Sequence, residues 1–216
     1  MTHKTRMLLV AVLSCSSAVA VADAPAAPAA PACPKSLSDA AIKAFPGAKV
    51  TKCREGKDHS VVHLEKKDGT KAELELSPKG DIQETEEEVA VTTVPAAVTK
   101  AFAARYPKLK ATKAEKNTKA DKSVSYELAA GEKDSKTEAS FKDDGTFLEE
   151  EAIVAPSTLP AAVTKAFAAK YPKAKATRVE KQTSSDNKVT FEIAFDTDKG
   201  GKEATFKNDG SFVEEE

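Results

Sequence analysis

The chain has 216 residues and nearly balanced charge, with 33 Lys and Arg against 34 Asp and Glu. That balance excludes the positive excess that nucleic-acid binding demands, and the length suffices for one or two ordinary domains or several small ones. Leu, Ile, Val and Phe together make up about 19% of the chain and Trp is absent, so its cores must be thin and built from few large side chains.

The N-terminus reads as an export signal over residues 1–22. Lys4 and Arg6 form a positive start, Met7 to Leu13 a short apolar run, and Ala20-Val21-Ala22 a small-x-small cleavage site ahead of Asp23. A second reading takes Val12-Leu13-Ser14-Cys15 as a lipidation box, with Cys15 as the lipidated residue of an envelope lipoprotein. The apolar run falls short of the ~20 residues a spanning helix needs, so no membrane span is expected. Loss of residues 1–22 removes Lys4 and Arg6 and no acid, which leaves a mildly acidic chain. Residues 23–36 follow as an Ala/Pro-rich linker. Proline at every third position there favours an extended, semi-rigid spacer and forbids a helix.

The remainder repeats. Val94 to Glu151 aligns with Leu159 to Glu216 at a constant offset of 65 residues without a gap. PAAVTKAFAARYPKLKAT from Pro95 matches PAAVTKAFAAKYPKAKAT from Pro160, and KDDGTFLEEE from Lys142 matches KNDGSFVEEE from Lys207. A diverged copy precedes them. LSDAAIKAFPGAKVTK from Leu37 reads as the same helix with one turn deleted, and LELSPKGDIQETEEE from Leu74 as the same final hairpin. Such periodicity predicts tandem units, over residues 37–88, 94–151 and 159–216, joined by linkers at 89–93 and 152–158.

Each unit reads the same way. Pro95 opens a helix at a position where its missing N–H costs nothing. Ala-rich sequence continues it, Val98 and Phe102 recur at helical spacing, and Pro107 stops it. The period then changes to two: Val124, Tyr126 and Leu128 share one strand face and Ser125 and Glu127 the other. Asp144-Gly145 marks a turn before a last strand that starts at Phe147. The predicted fold class is α+β: tandem repeats, each one helix packed on a roughly four-stranded antiparallel sheet whose other face is polar. The predicted cores contain Phe45, with Val62 and Leu64, in the first unit. They contain Phe102, Tyr106, Tyr126, Phe141 and Phe147 in the second, and Phe167, Tyr171, Phe191, Phe206 and Phe212 in the third. Phe45 is taken as the counterpart of Phe102 and Phe167. With one aromatic, the first core is the weakest.

Cys33 and Cys53 flank the shortened helix of that weakest unit. An even pair in an exported chain predicts a disulfide, which would compensate for the thin core.

The order P-x-x-V-x-x-A-F-x-x-x-Y-P, then Tyr126-Glu127-Leu128 in an alternating strand, then F-x-x-D-G-x-F, resembles the PepSY-like family of exported bacterial domains. That family is related in fold to the β-lactamase-inhibitor proteins. The resemblance implies binding or protease-inhibiting modules and supplies no catalytic residues. The first unit departs from it, lacking the Tyr-Pro turn and most aromatics.

Catalytic chemistry is missing. His3 leaves with the signal. His59, Val61 and His63 share the parity opposite to Val62 and Leu64 and are expected to face solvent, and four residues of strand place the two histidines about 13 Å apart, too far for one metal. Residues 94–216 contain neither His nor Cys, so no nucleophile–base pair assembles there. Glu86–Glu88, Glu149–Glu151 and Glu214–Glu216 read as solvated edge charges that discourage strand pairing. The sequence therefore predicts no catalytic, cofactor-binding or metal residues and no cofactor. It predicts an exported, non-enzymatic module that binds an unknown protein partner in the cell envelope or outside, by the sheet face away from the helices, as an inhibitor of an envelope or secreted hydrolase. The alternative is a structural envelope or surface spacer without inhibitory activity. Mixed Lys and Glu on that face would favour the spacer, and an apolar patch the inhibitor.

Overall fold

The computed structural model describes residues 33–198 and 200–215. The expected export signal, Cys15 and the proline-rich stretch up to residue 32 lie outside the described residues.

Three α-helices and twelve strands appear among the described residues. Helix α1 (Lys35–Ala44) precedes β1 (Lys49–Glu55), β2 (Ser60–Glu65), β3 (Lys71–Leu76) and β4 (Ile82–Val89). Helix α2 (Ala96–Arg105) precedes β5 (Lys113–Lys119), β6 (Val124–Ala130), β7 (Thr137–Lys142) and β8 (Phe147–Val154). Helix α3 (Ala161–Lys170) precedes β9 (Ala176–Ser184), β10 (Val189–Thr197), β11 (Gly200–Lys207) and β12 (Phe212–Glu215). The fold class is α+β. The strands form one twelve-stranded antiparallel sheet in sequential order, not separate four-stranded sheets. The joints are β4 with β5, where Glu86 opposes Asn117, and β8 with β9, where Glu151 opposes Gln182.

That continuity corrects two expectations. Glu86, Glu88, Glu149 and Glu151 are not edge charges, because β4 and β8 are paired on both sides. The expected linkers are partly strand, since β4 runs to Val89 and β8 to Val154, and each joint adds only one 3₁₀ turn, Val91–Thr93 or Pro156–Thr158. The physical reason is that an unpaired strand edge leaves N–H and C=O groups open to pairing, and the following β-segment satisfies them. The N-terminal linker is also shorter than expected, because α1 begins at Lys35.

The three helices are alike to the residue. Each has ten residues, a proline at its N-cap and a basic residue in its last turn: Pro34 and Lys43, Pro95 and Arg105, Pro160 and Lys170. The C-cap N–H groups of Phe45, Tyr106 and Tyr171 reach the carbonyls of Ala41, Phe102 and Phe167. The first helix has therefore lost no turn. Phe45 is the counterpart of Tyr106 and Tyr171, and Ala41 stands where Phe102 and Phe167 stand. An alignment on the letters A-F placed Phe45 one turn off.

Apolar side chains gather in three clusters. Leu37 and Ala41 join Val62, Leu64, Leu74 and Leu76. Val98 and Phe102 join Leu128, Ala139 and Phe141. Val163 and Phe167 join Val179, Ile193, Phe195 and Phe206. Aromatic edges meet faces inside them: Phe102 and Phe141 lie 6.4 Å apart, Phe167 and Phe195 5.3 Å, and Phe167 and Phe206 6.2 Å. In the first cluster Ala41 is fully buried but contributes one methyl where the others have a ring. Cys33 and Cys53, at its margin, are joined by a disulfide with Cα atoms 5.3 Å apart.

Candidate docking face

Strand parity assigns each residue to one of two sheet faces. One face holds the three clusters. Phe102, Phe141, Phe167, Phe191 and Phe206 are buried there, while Phe45, Tyr106, Tyr126, Phe147 and Tyr171 are partly buried. Phe212 differs from expectation. It is 43% exposed and lies on β12, an edge strand of the sheet among the described residues.

The other face is built by the alternate residues of the same strands. The register aligns them in rows across neighbouring strands. One row runs Arg54, Val61, Glu75, Glu84, Lys119. The next runs Lys52, His63, Glu73, Glu86, Asn117, Ser125, Lys142. A third runs Glu88, Glu115, Glu127, Ser140, Glu149, Ser184. Farther along, Glu138 opposes Glu151, and Glu180 opposes Glu192. Lys and Glu are thus mixed on this face, with Lys113 and Lys119 flanking Glu115 on β5, while glutamates face one another between β3 and β6.

Several residues on this face are nearly inaccessible: Asn117 at 1%, Ser140 at 3%, Glu180 and Val61 at 4%. Val61 was expected to face solvent. Its parity is as read, but it is buried, between Arg54 and Glu75 on the neighbouring strands. His59 is exposed. The Nδ1 of His63 lies 2.9 Å from the carboxylate of Glu73, an opposite neighbour on β3. Glu180 pairs with Arg178. Burial, and then the nearby carboxylates of Glu138 and Glu203, lift its pKa above the ordinary glutamate value, against the pull of Arg178 and Gln182.

Among the described residues no three His, Cys, Asp or Glu groups are placed to hold a metal ion. A depression lined by Phe45, Pro46, Ala48 and Asp68 is open to solvent and collects no catalytic set. Among the described residues no helix is long and apolar enough to cross a membrane.

The family profile described as "Putative beta-lactamase-inhibitor-like, PepSY-like" matches residues 58–133 and 122–214. The chain belongs to the PepSY-like family. The two PepSY-like matches begin within strand quartets, near the start of β2 and just before β6. No curated protein matches the chain significantly. Solved structures similar to this PepSY-like chain include a BLIP-like protein from Bacteroides fragilis, 21% identical over 55% of this chain and 85% of that one, with a TM-score of 0.46. Another is described as putative periplasmic proteins from Bacteroides eggerthii, 20% identical over 55% and 88%, with a TM-score of 0.49. A third, a putative periplasmic protein of unknown function from Bacteroides vulgatus, is 21% identical over 61% and 98%, with a TM-score of 0.34.

The sequence reading missed the acidic centre of the face. Its signal was present as Glu at every second position in Glu73-x-Glu75 and Glu84-x-Glu86-x-Glu88. Only the strand register turns those runs into one surface.

Proposed function

We propose that the chain is an exported, non-enzymatic protein-binding module of three tandem helix-plus-four-strand units, and that the sheet face away from the clusters meets its partner. The observation that carries this reading is the continuous polar face, spanning the strands of all three quartets in aligned rows. A spacer needs no such surface, because positioning alone places no demand on one face. Localisation in the periplasm or outside the cell follows from the sequence signal at residues 1–22.

Inhibition of a hydrolase is not part of this reading. Hot spots favour buried aromatic anchors, and the exposed aromatic Phe212 lies in register with Phe206, on the cluster face.

The test is capture from an envelope extract with wild-type protein and two variants. Ser125→Trp places a bulky ring on the polar face. Ala103→Trp places one on the exposed side of α2. With melting curves unchanged, proteins captured by wild type should be lost with Ser125→Trp and kept with Ala103→Trp. Retention of every captured protein by Ser125→Trp overturns the reading.

A further inference from the structure

The three quartets are built on one count. Cys53, Ala114 and Val179 each lie 18 residues after the first residue of their helix. Their partners match as well, since Cys53 opposes Val62, Ala114 opposes Leu128 and Val179 opposes Ile193. The disulfide obeys the same count. Cys33 stands where Val94 and Leu159 stand, and those two pack in the clusters of Ala114 and Val179.

Strands β1, β5 and β9 are therefore equivalent, but they are not equally covered. The outer edge of β5 takes β4 along residues 84–89, and that of β9 takes β8 along residues 149–154. Among the described residues β1 pairs with β2 alone. Both covering stretches run from 12 to 7 residues before the helix start. The same count before Lys35 falls on Asp23-Ala24-Pro25-Ala26-Ala27-Pro28. The Ala120 N–H donates to the Gln83 carbonyl, so the alternate residues Thr85, Glu87 and Val89 turn their main-chain groups to β5. Pro28 holds the place of Val89 in that count and has no N–H to give. The chain's own counterpart of β4 and β8 is thus unfit to cover β1.

What covers a first strand in this chain is acidic. β4 carries Glu84, Glu86, Glu87 and Glu88, with Glu84 opposite Lys119 and Glu87 opposite Lys116 on β5. β8 carries Glu149, Glu150 and Glu151, and β9 carries Arg178 and Lys181. On β1, Lys49 and Lys52 are exposed, and Lys52 holds the place of Lys113. Lysine often protects an edge from pairing, yet β5 with Lys113, Lys116 and Lys119 is paired on both sides. The bulge of β1 falls between Val50 and Lys52, ahead of residues 53–55.

We propose that the outer edge of β1 docks an acidic, extended segment of a partner polypeptide, added to the sheet as a strand. Strand addition draws its affinity from main-chain hydrogen bonds and its specificity from side chains. This edge is separate from the polar face, and neither reading rests on the other.

The probe is a fluorescein-labelled peptide with the sequence of β4, Ile82–Val89, followed by anisotropy with the full chain. Glu55 is the counterpart of Lys116, which alternates with Ala120 and turns its main chain to β4. Glu55→Pro removes the outward N–H, leaves the bonds to β2, and should weaken binding about tenfold. Glu55→Gln should bind at least as tightly as wild type, and melting curves establish that both variants fold. Methylated peptides make the test independent of any variant. An N-methyl group on Glu87 should weaken binding about tenfold, and one on Glu86, which turns away from the edge, should leave it within about twofold. A peptide with every Glu replaced by Gln should bind about fivefold more weakly at low salt. Equal binding of the two methylated peptides, or by Glu55→Pro and Glu55→Gln, overturns strand addition at β1. Equal binding of the Gln peptide overturns the acidic partner. If sedimentation shows the chain alone self-associating, and Glu55→Pro but not Glu55→Gln abolishes this while the peptide does not bind, the occupant is a second copy and the inference falls.

Discussion

Tyr106 and Glu150 tie the end of α2 to β8. The tyrosine hydroxyl donates to Glu150 Oε2 at 2.5 Å, and Arg105 Nε donates to the same hydroxyl oxygen at 3.1 Å. The Arg105 guanidinium also lies 3.7 Å over the Phe147 ring, a cation–π contact. The next unit repeats the arrangement: Tyr171 donates to Glu215, and the Lys170 ammonium lies 4.1 Å from the Phe212 ring centroid. Burial first, and the Glu150 hydrogen bond second, push the Tyr106 hydroxyl well above the usual phenol pKa, so it remains a donor across physiological pH.

Tyr106→Phe should therefore destabilise the chain by about 1–2 kcal/mol, the range for a charge-assisted bond on a half-buried group. Tyr171→Phe should cost less, because its partner Glu215 lies at the exposed sheet edge. Urea titration of both variants reads the difference. Equal costs would mean that the greater exposure of Glu215 does not weaken its bond.

Gly145 shows why the Asp-Gly turns keep their glycine. Its φ is +87°, and a Cβ there would lie 2.8 Å from the Ala97 carbonyl oxygen in the first turn of α2. Gly69 has φ +83° with open space around it. The left-handed conformation costs a side chain about 1–2 kcal/mol. Gly69→Ala should cost that alone, and Gly145→Ala distinctly more, since backbone must move. Thermal melts of the two variants compare them, and equal losses would remove the close helix contact from the account.

Glu180 is 4% exposed, and its raised pKa makes it a weak point at neutral pH. The folded chain holds its proton more tightly than the unfolded chain does. The resulting penalty is absent in acid, grows as pH rises from the ordinary glutamate value through the folded value, and stays constant above it. Glu180→Gln should raise the melting temperature at neutral pH and have little effect near the acid end of the folded range. A gain independent of pH would assign the effect to packing instead.

The disulfide should matter most to the first cluster. With Ala41 in place of a ring, that cluster has the least to lose before unfolding. Removing the bond with Cys33→Ser/Cys53→Ser reopens a loop with a separation of 20 residues, worth about 3 kcal/mol on the chain-entropy account. Amide exchange should accelerate over 35–89 more than over 161–215. Uniform acceleration would mean that all three clusters share the cross-link's benefit.

Helices and hairpins were legible in the sequence because each rests on local signals. Proline at residues 95 and 160 starts two of the helices, whereas Pro34, the N-cap of the first, is hidden among the prolines of the spacer. Asp-Gly and Asp-x-Ser turns set the hairpins, with Asp144 and Asp209 accepting the backbone N–H two residues on at 2.8 Å. The joining of quartets was not legible, since nothing local distinguishes Glu86 on an open edge from Glu86 opposite Asn117. The same limit hid the acidic centre: Glu88, Glu115 and Glu127 are far apart in sequence and adjacent only through two strand registers. Phe212 was misread for a related reason, since its alternation fits a core face but nothing local tells that β12 lies at the edge of the sheet.

Phe167 tests how far the continuous sheet couples the clusters. Its ring is 7% exposed and meets Tyr171, Phe195 and Phe206 at 5.4, 5.3 and 6.2 Å. Truncating a buried Phe to Ala costs about 3–5 kcal/mol, more than a thin core of this size holds in reserve. The third cluster and β9 to β12 should therefore open in Phe167→Ala. Because β8 pairs with β9 along Glu149–Val154, the outward-facing amides of β8 should lose protection with them. Strands β1 to β7 keep their own clusters, whose side chains include none from α3, and should stay protected. Amide exchange resolved by peptide separates the regions. Even loss of protection across all twelve strands would mean that the sheet unfolds as one unit, and that the three clusters have no stability of their own.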